Sequence, residues 1–392
     1  MLVNLKVLKM LKHSFILALA AAALAACTPN TDRMIPETRY EECLWEDGKT
    51  VFSLWAPGAE AVKLKLYSSA LSETPERELD LKSSEYGLWT KTVKDDILGM
   101  FYTFQVCREG KWLKETQGMA AKAVGVNGMR GAVIDWDHTD PQGWSEDKSP
   151  EIRPSDIIIY EMHHRDFSIH PASGVKNKGK YIALTEHGTI NPDGLSTGID
   201  HLKELGITYV QILPSTDYNT VDETRLEQMI QSLHKAGIRV ILDVVYNHTS
   251  STDVPGFERT NPGYFYRMNE DGTFCNASGC GSETASEKEM FRKFMVESLE
   301  WWMQEYHIDG FRFDLMAIHD IETMNLISKR LHAIDPDVVL YGEGWAAMSP
   351  ALAPETIALK DNTYMLDRIG AFSDNLRDSV RGPLDCSHLG FM

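Results

Sequence analysis

Residues 50–67 alternate apolar and polar side chains with the period of two that a half-buried strand requires, first as Val51-Phe52-Ser53-Leu54-Trp55 and then as Val62-Lys63-Leu64-Lys65-Leu66-Tyr67. Pro57-Gly58 between the two runs reads as a turn. The alternation returns over 87–93 and 100–106, which predicts a small β-sandwich across residues 40–135. Trp55, Trp89 and Tyr102 lie in these runs; each could stack on a sugar ring, and core packing is the commoner fate of a single aromatic in a strand.

A connector at 136–154, rich in proline and charge, precedes a change of period. Apolar runs at 156–160, 207–213, 238–245, 308–313 and 338–341 have the length of buried strands, and helical patterns such as 226–236 and 288–306 separate them. This repetition predicts an α/β fold: an incomplete (β/α)8 TIM barrel over 155–392, with about five strands present. Such a barrel carries its chemistry on the loops that leave the carboxyl ends of its strands.

The N-terminus adds a cellular address. Lys6, Lys9 and Lys12 precede an apolar run, 15–26, that is too short to span a bilayer as a mature helix, and the pattern is that of a secretory signal. Leu24-Ala25-Ala26-Cys27 resembles a bacterial lipobox, so residues 1–27 are expected to direct secretion, Cys27 to become a diacylated N-terminus, and 28–39 to act as a tether. The expected location is the cell envelope, as a lipid-anchored secreted protein. Met10 could equally be the start, with Lys12 as the charged flank.

Charge narrows the partners. The 392 residues carry a formal charge of −18, a surface that repels phosphate backbones and anionic headgroups, which excludes nucleic acid and leaves the lipid as the only membrane contact. A neutral polysaccharide is not opposed. If Cys27 carries lipid, five cysteines remain, in no metal-like spacing; Cys275 and Cys280 could bridge, and unpaired structural thiols are the simpler reading.

Candidate chemistry gathers where the predicted strands end: His163, Arg165 and Asp166; Asp243, Asn247 and His248; Arg312 and Asp314; Glu343 and Trp345. Any one of these could be a loop cap or a surface ion pair, but four strand ends agree. Arg312 and Asp314 project to the same side of a strand, and a guanidinium beside a carboxylate keeps it ionised, as a nucleophile requires. Glu343, in Gly342-Glu343-Gly344-Trp345 on the next strand, is the candidate general acid, with the Trp345 indole as apolar surround and stacking face. Neighbouring strands about 4.8 Å apart suit the roughly 5 to 5.5 Å between the carboxyls of a retaining glycosidase. His163, His248 and His319 do not have zinc spacing, and Gly342-Glu343-Gly344 lacks the third glycine of a phosphate loop, so neither a metal nor a cofactor is expected.

Four segments then resemble the type I pullulanases of the α-amylase superfamily (glycoside hydrolase family 13): Tyr160-Glu161-Met162-His163 with Arg165-Asp166-Phe167-Ser168, Asp243-Val244-Val245-Tyr246-Asn247-His248, 310–314, and Tyr341-Gly342-Glu343-Gly344-Trp345. Trp55-Ala56-Pro57 looks like the start of that family's carbohydrate-binding module. The resemblance implies an α-glucan partner and hydrolysis of α-1,6 branch linkages in pullulan, amylopectin or glycogen with retention. It also implies Asp314 as nucleophile, Glu343 as acid/base, and His163, Asp243, His248, Arg312 and Trp345 as substrate contacts. Two departures stand against it. The family's long loop with a Tyr-Asn-Trp-Gly-Tyr-Asp-Pro signature is absent between Thr224 and Arg225, and the family continues past Met392 to supply three more barrel strands, a late Asp that stabilises the transition state and a terminal β-domain. A fragment of a longer enzyme, with little activity by itself, is the expectation. A glucan-binding lipoprotein without turnover and a branching or α-1,4-cleaving enzyme are the alternatives.

Overall fold

The computed structural model describes residues 31–214, 226–253, 256–383 and 390–391. The expected signal segment with Cys27, and the junction at 224–225, lie outside the described residues.

Nine strands make the sandwich: β1 (Cys43–Glu46), β2 (Lys49–Trp55), β3 (Ala61–Tyr67), β4 (Arg77–Asp80), β5 (Lys82–Ser83), β6 (Leu88–Val93), β7 (Phe101–Arg108), β8 (Lys111–Trp112) and β9 (Gly131–Ala132). One sheet runs β1-β2-β6-β5 and the other β4-β3-β7-β8, with β9 against β7. The alternation seen in sequence sends Phe52, Leu54, Val62, Leu64, Leu66, Tyr102, Phe104 and Val106 into one core between the sheets. Tyr102 meets Phe52 and Phe104 edge-on at 5.1 and 5.5 Å, so it is a core residue.

Trp55 leaves that core and packs with the barrel's residues. Fully buried, it lies edge-on to Tyr264 at 5.2 Å and donates its indole N–H to the Met34 carbonyl at 2.8 Å. Arg108 also crosses the junction, donating to the carbonyls of Thr260 at 3.0 Å and Pro57 at 2.9 Å.

The second unit is a parallel sheet in the order β10 (Ile159–Met162), β11 (Tyr209–Ile212), β12 (Arg239–Val244), β15 (Gly310–Phe313), β16 (Val339–Gly342) and β17 (Gly370–Ala371). A separate two-stranded ribbon, β13 (His248–Thr249) with β14 (Ser282–Glu283), borders its mouth. Among the described residues the barrel therefore has six strands where about five were expected; β17 is two residues long and has no apolar run to announce it. The helices are α1 (His164–Ile169), α2 (Gly198–Glu204), α3 (Leu226–Lys235), α4 (Phe257–Thr260), α5 (Glu289–Tyr306), α6 (Ile321–Ile334) and α7 (Asp374–Arg381). Helices α3, α5 and α6 bury Met229, Ile230, Leu233, Met295, Leu299, Ile327 and Leu331 in the same core as Val210, Val240, Phe311 and Leu340 of the strands. No helix among the described residues is long and apolar enough to cross a membrane. Cys43, Cys107, Cys275 and Cys280 carry no disulfide in this structure, and Cys386 lies outside the described residues.

The connector packs against the amino ends of the strands. Trp144 stacks on His307 at 4.1 Å, and Asp147 reaches His234 of α3, whose other ring nitrogen meets Asp309 just before β15. Arg239, the first residue of β12, donates to the Pro150 carbonyl at 2.6 Å.

Candidate active site

The register of the parallel strands decides which polar side chains meet. Asp243 pairs with Arg312, and Arg312 with Tyr341; Phe313 pairs with Gly342, so Asp314 and Glu343, the next residues, come level on adjacent strands. Asp243, Arg312, Asp314, Tyr341 and Glu343 share one parity and project to the same face. Arg312 ties them together: its Nη1 donates to Asp243 Oδ1 and to Asp314 Oδ1, each at 2.9 Å, and its Nη2 lies 2.6 Å from Glu343 Oε1. Its Nε is buried without a partner in this structure. Burial opposes the charge on Arg312, but the surrounding carboxylates, Asp243 foremost, outweigh it and raise its pKa above the ordinary value. Burial pushes the Asp243 carboxyl up to about 6, against the pull of Arg312.

Each carboxylate has a second tether. Asp314 Oδ2 accepts from Asn247 Nδ2 at 2.9 Å, and Glu343 Oε2 accepts from the Leu315 N–H at 2.9 Å. Leu315 can present that N–H because its φ of +40° bends the chain just after Asp314, a left-handed conformation rare for a leucine and characteristic of functional sites. Gly342 has to be glycine, since a Cβ there would stand 2.6 Å from the Phe313 carbonyl.

His248 Nδ1 lies 2.6 Å from Asn247 Oδ1, so it joins the cluster through Asn247. Trp345 stands at the rim beside Phe372, ring centroids 6.2 Å apart, and Phe372 in turn lies 5.8 Å from the Arg312 guanidinium. His163 caps α1, its Nδ1 accepting from the Arg165 N–H, and stacks on His164 at the carboxyl end of β10. Neither contact reaches the Arg312 cluster. Arg165 and Asp166 are exposed and pair with each other at 3.3 Å.

Three contacts escape the sequence reading, which named Asn247 as a candidate but gave it no partner. Asn247 holds Asp314, Leu315 holds Glu343, and a polar row crosses the sheet one layer below, where Gln211 donates to Glu161 Oε2 at 2.9 Å and accepts from the Tyr341 hydroxyl. Gln211 had a signal: it is the only polar residue between Tyr209 and Leu213, where a buried strand has no use for an amide unless something bonds it. A cavity of about 390 Å³ lies between α5 and the segment leaving the sandwich, lined by Tyr40, Met119, Tyr246, Phe294 and Trp301 and reaching Asp243 of the Arg312 cluster.

Comparison with known proteins places both units. Residues 38–120 match the family of carbohydrate-binding module 48, the isoamylase N-terminal domain. A pullulanase of Bacillus subtilis is 39% identical over 367 residues, which are 85% of this chain and 50% of that protein. The crystal structure of a Paenibacillus barengoltzii pullulanase in complex with maltohexaose and α-cyclodextrin superposes with a TM-score of 0.88 at 40% identity, over 93% of this chain and 62% of that one. The structure of an Anoxybacillus pullulanase complexed with maltotriose gives 0.85 at 36% identity, over 93% and 57%. The chain thus spans about half the length of the curated Bacillus subtilis relative.

Proposed function

We propose that this chain, which belongs to the pullulanases of glycoside hydrolase family 13, carries the catalytic carboxylates of a hydrolase that cleaves α-1,6 branch linkages of an α-glucan with retention. The observation that supports this reading is the level placement of Asp314 and Glu343 on adjacent strands, both held by Arg312. In the first step Asp314 attacks the anomeric carbon while protonated Glu343 gives its proton to the departing glycosidic oxygen, leaving a glycosyl ester on Asp314. In the second, Glu343 as carboxylate takes a proton from water, the hydroxide attacks the same carbon, and the Asp314 carboxylate departs. Asp243, His248 and Arg312 would contact the sugar at the cleavage point, with Trp345 and His163 at the rim. The carbohydrate-binding module is the natural holder of the polymer; the relatives' complexes with maltotriose and maltohexaose are consistent with a glucan ligand.

The test is product release from pullulan by the purified chain and by Asp314→Asn. A loss of about 10³-fold or more in the variant is expected, and a variant as active as the parent would refute the assignment of Asp314. The match of residues 38–120 to a carbohydrate-binding module favours a second reading, a glucan-binding protein without turnover. Retention of the parent chain on immobilised amylopectin with no product release would support that one instead.

We further propose that Cys27 is lipidated and anchors the protein in the cell envelope. Metabolic labelling with an alkyne fatty acid should mark the parent and not Cys27→Ser; equal labelling of both would exclude the site.

A further inference from the structure

Asn247 stands in the loop after β12 with no exposed surface. Its Nδ2 donates to Asp314 Oδ2 at 2.9 Å and to the Asp314 main-chain carbonyl at 2.7 Å, while its Oδ1 lies 2.6 Å from His248 Nδ1. A carboxylate and a carbonyl oxygen only accept, which fixes the amide nitrogen on the Asp314 side and the amide oxygen on the His248 side. That oxygen also only accepts. His248 Nδ1 must therefore carry the hydrogen, and in the neutral ring the lone pair is on Nε2. The other oxygen of Asp314 is held by Arg312 Nη1 at 2.9 Å, so the carboxylate is gripped on both sides and cannot rotate without breaking a bond. The main chain of Asn247 is pinned as well, its carbonyl accepting from the Thr284 N–H at 3.0 Å.

We propose that Asn247 is a positioning residue that couples two parts of the site: it fixes the rotation of the Asp314 carboxylate and sets His248 in the Nδ1–H tautomer, so that Nε2 accepts a hydrogen bond from a sugar hydroxyl. The Asp314 half rests on the reading of that residue as nucleophile. The tautomer half rests on geometry alone. One buried amide thus ties the orientation of the attacking oxygen to the recognition of the sugar it attacks, and a displacement of even 1 Å at such a point costs on the order of 10²-fold in rate.

Two measurements on the full chain test this. Long-range proton–nitrogen NMR spectra of histidine-labelled protein, with His248 assigned by its absence in His248→Gln, should show an Nδ1–H ring in the parent. Asn247→Asp keeps an acceptor at Oδ1 and should keep that tautomer, whereas Asn247→Ala should release it toward the Nε2–H form that free imidazole prefers. An Nε2–H ring in the parent overturns the proposal regardless of how the variants fold. In kinetics on pullulan, both variants should lower kcat by roughly 10²-fold, while the KM of Asn247→Asp, which keeps the tautomer, should stay within about threefold of the parent. A parent that turns over pullulan with an equally fast Asn247→Ala overturns the positioning of Asp314. A parent that does not turn over pullulan defeats the functional reading, and the tautomer measurement still decides the role of Asn247.

Discussion

Replacing His234 with glutamine should remove a pH-dependent part of the chain's stability whose size follows from the structure. The ring is 1% exposed and lies between two carboxylates, Asp147 Oδ2 at 2.7 Å from Nδ1 and Asp309 Oδ2 at 3.0 Å from Nε2. Burial disfavours the imidazolium, but hydrogen bonds to two anions outweigh it and raise the ring to about 9 from an ordinary 6.5. Asp147 shows the other side of the pair: against the cost of burial, hydrogen bonds from His234 and His307 hold it well below the usual carboxylate range. The folded chain therefore binds a proton at His234 that the unfolded chain releases between pH 6.5 and 9. Because the folded value is the higher one, the stabilisation is complete below 6.5 and is lost as the pH rises through 9. At ~1.4 kcal/mol per tenfold change in proton affinity, the full contribution is ~3 kcal/mol. Buried carboxyls such as Glu42, raised to about 8, and Glu227, raised to about 7, titrate in the same window, so the informative quantity is the difference between parent and His234→Gln. Urea unfolding followed by tryptophan fluorescence, at pH 6 and again at 9.5, should show that difference shrinking by ~3 kcal/mol. A difference that stays constant over the range would mean that the folded ring is neutral and that the two carboxylates do not hold it as a cation.

Two further substitutions test the packing of the sandwich and its junction with the barrel. Gly118→Ala would place a Cβ 2.0 Å from Glu42 Oε2 at a φ of +104°, displacing a buried carboxyl that accepts from the Met119 and Ala120 N–H groups at 3.0 and 2.8 Å. It should cost ~2 kcal/mol more than Gly48→Ala, where φ is +77° but the space is open; equal losses in chemical denaturation would show that strain alone decides. Trp55→Ala should cost about 3 to 5 kcal/mol and split unfolding into separate sandwich and barrel transitions, while Trp55→Phe keeps a single one. A single transition in Trp55→Ala would show that Trp55 does not couple the two units.

The strands β11, β12, β15 and β16 were legible because a strand buried on both faces is a continuous apolar run, and each observed strand falls within one or two residues of its run. At β10 the run began at 156 but the strand begins at Ile159, since its start is set by pairing with Tyr209 of the neighbouring strand and not by its own apolarity. Strand β17 could not be read, because two residues carry no period. The same division holds for the site. Arg312 and Asp314 were readable as partners from their spacing in one strand, and Glu343 from its place at the end of the next. Asn247 and Asp314 are 67 positions apart and meet across a loop, and the left-handed turn at Leu315 follows from no residue preference, so neither contact has a local signature.

The two ends of β12 and β15 show why buried charge means different things at each. At the amino ends, Asp147, Asp309 and Asp335 face His234, His307 and Arg239: three carboxylates, three basic side chains, and a connector clamped shut. At the carboxyl ends, three carboxyls, those of Asp243, Asp314 and Glu343, share the single guanidinium of Arg312. The first set is balanced within the protein and can serve stability. The second is formally short of positive charge, and the imbalance sits where a sugar would lose its leaving group. An oxocarbenium-like transition state carries the charge that is missing there, so on the proposed reading the site binds that state more tightly than the neutral sugar that precedes it. Only four residues separate Asp309 from Asp314, yet on the proposed reading the balance of their surroundings gives one to holding the barrel together and the other to attacking the substrate.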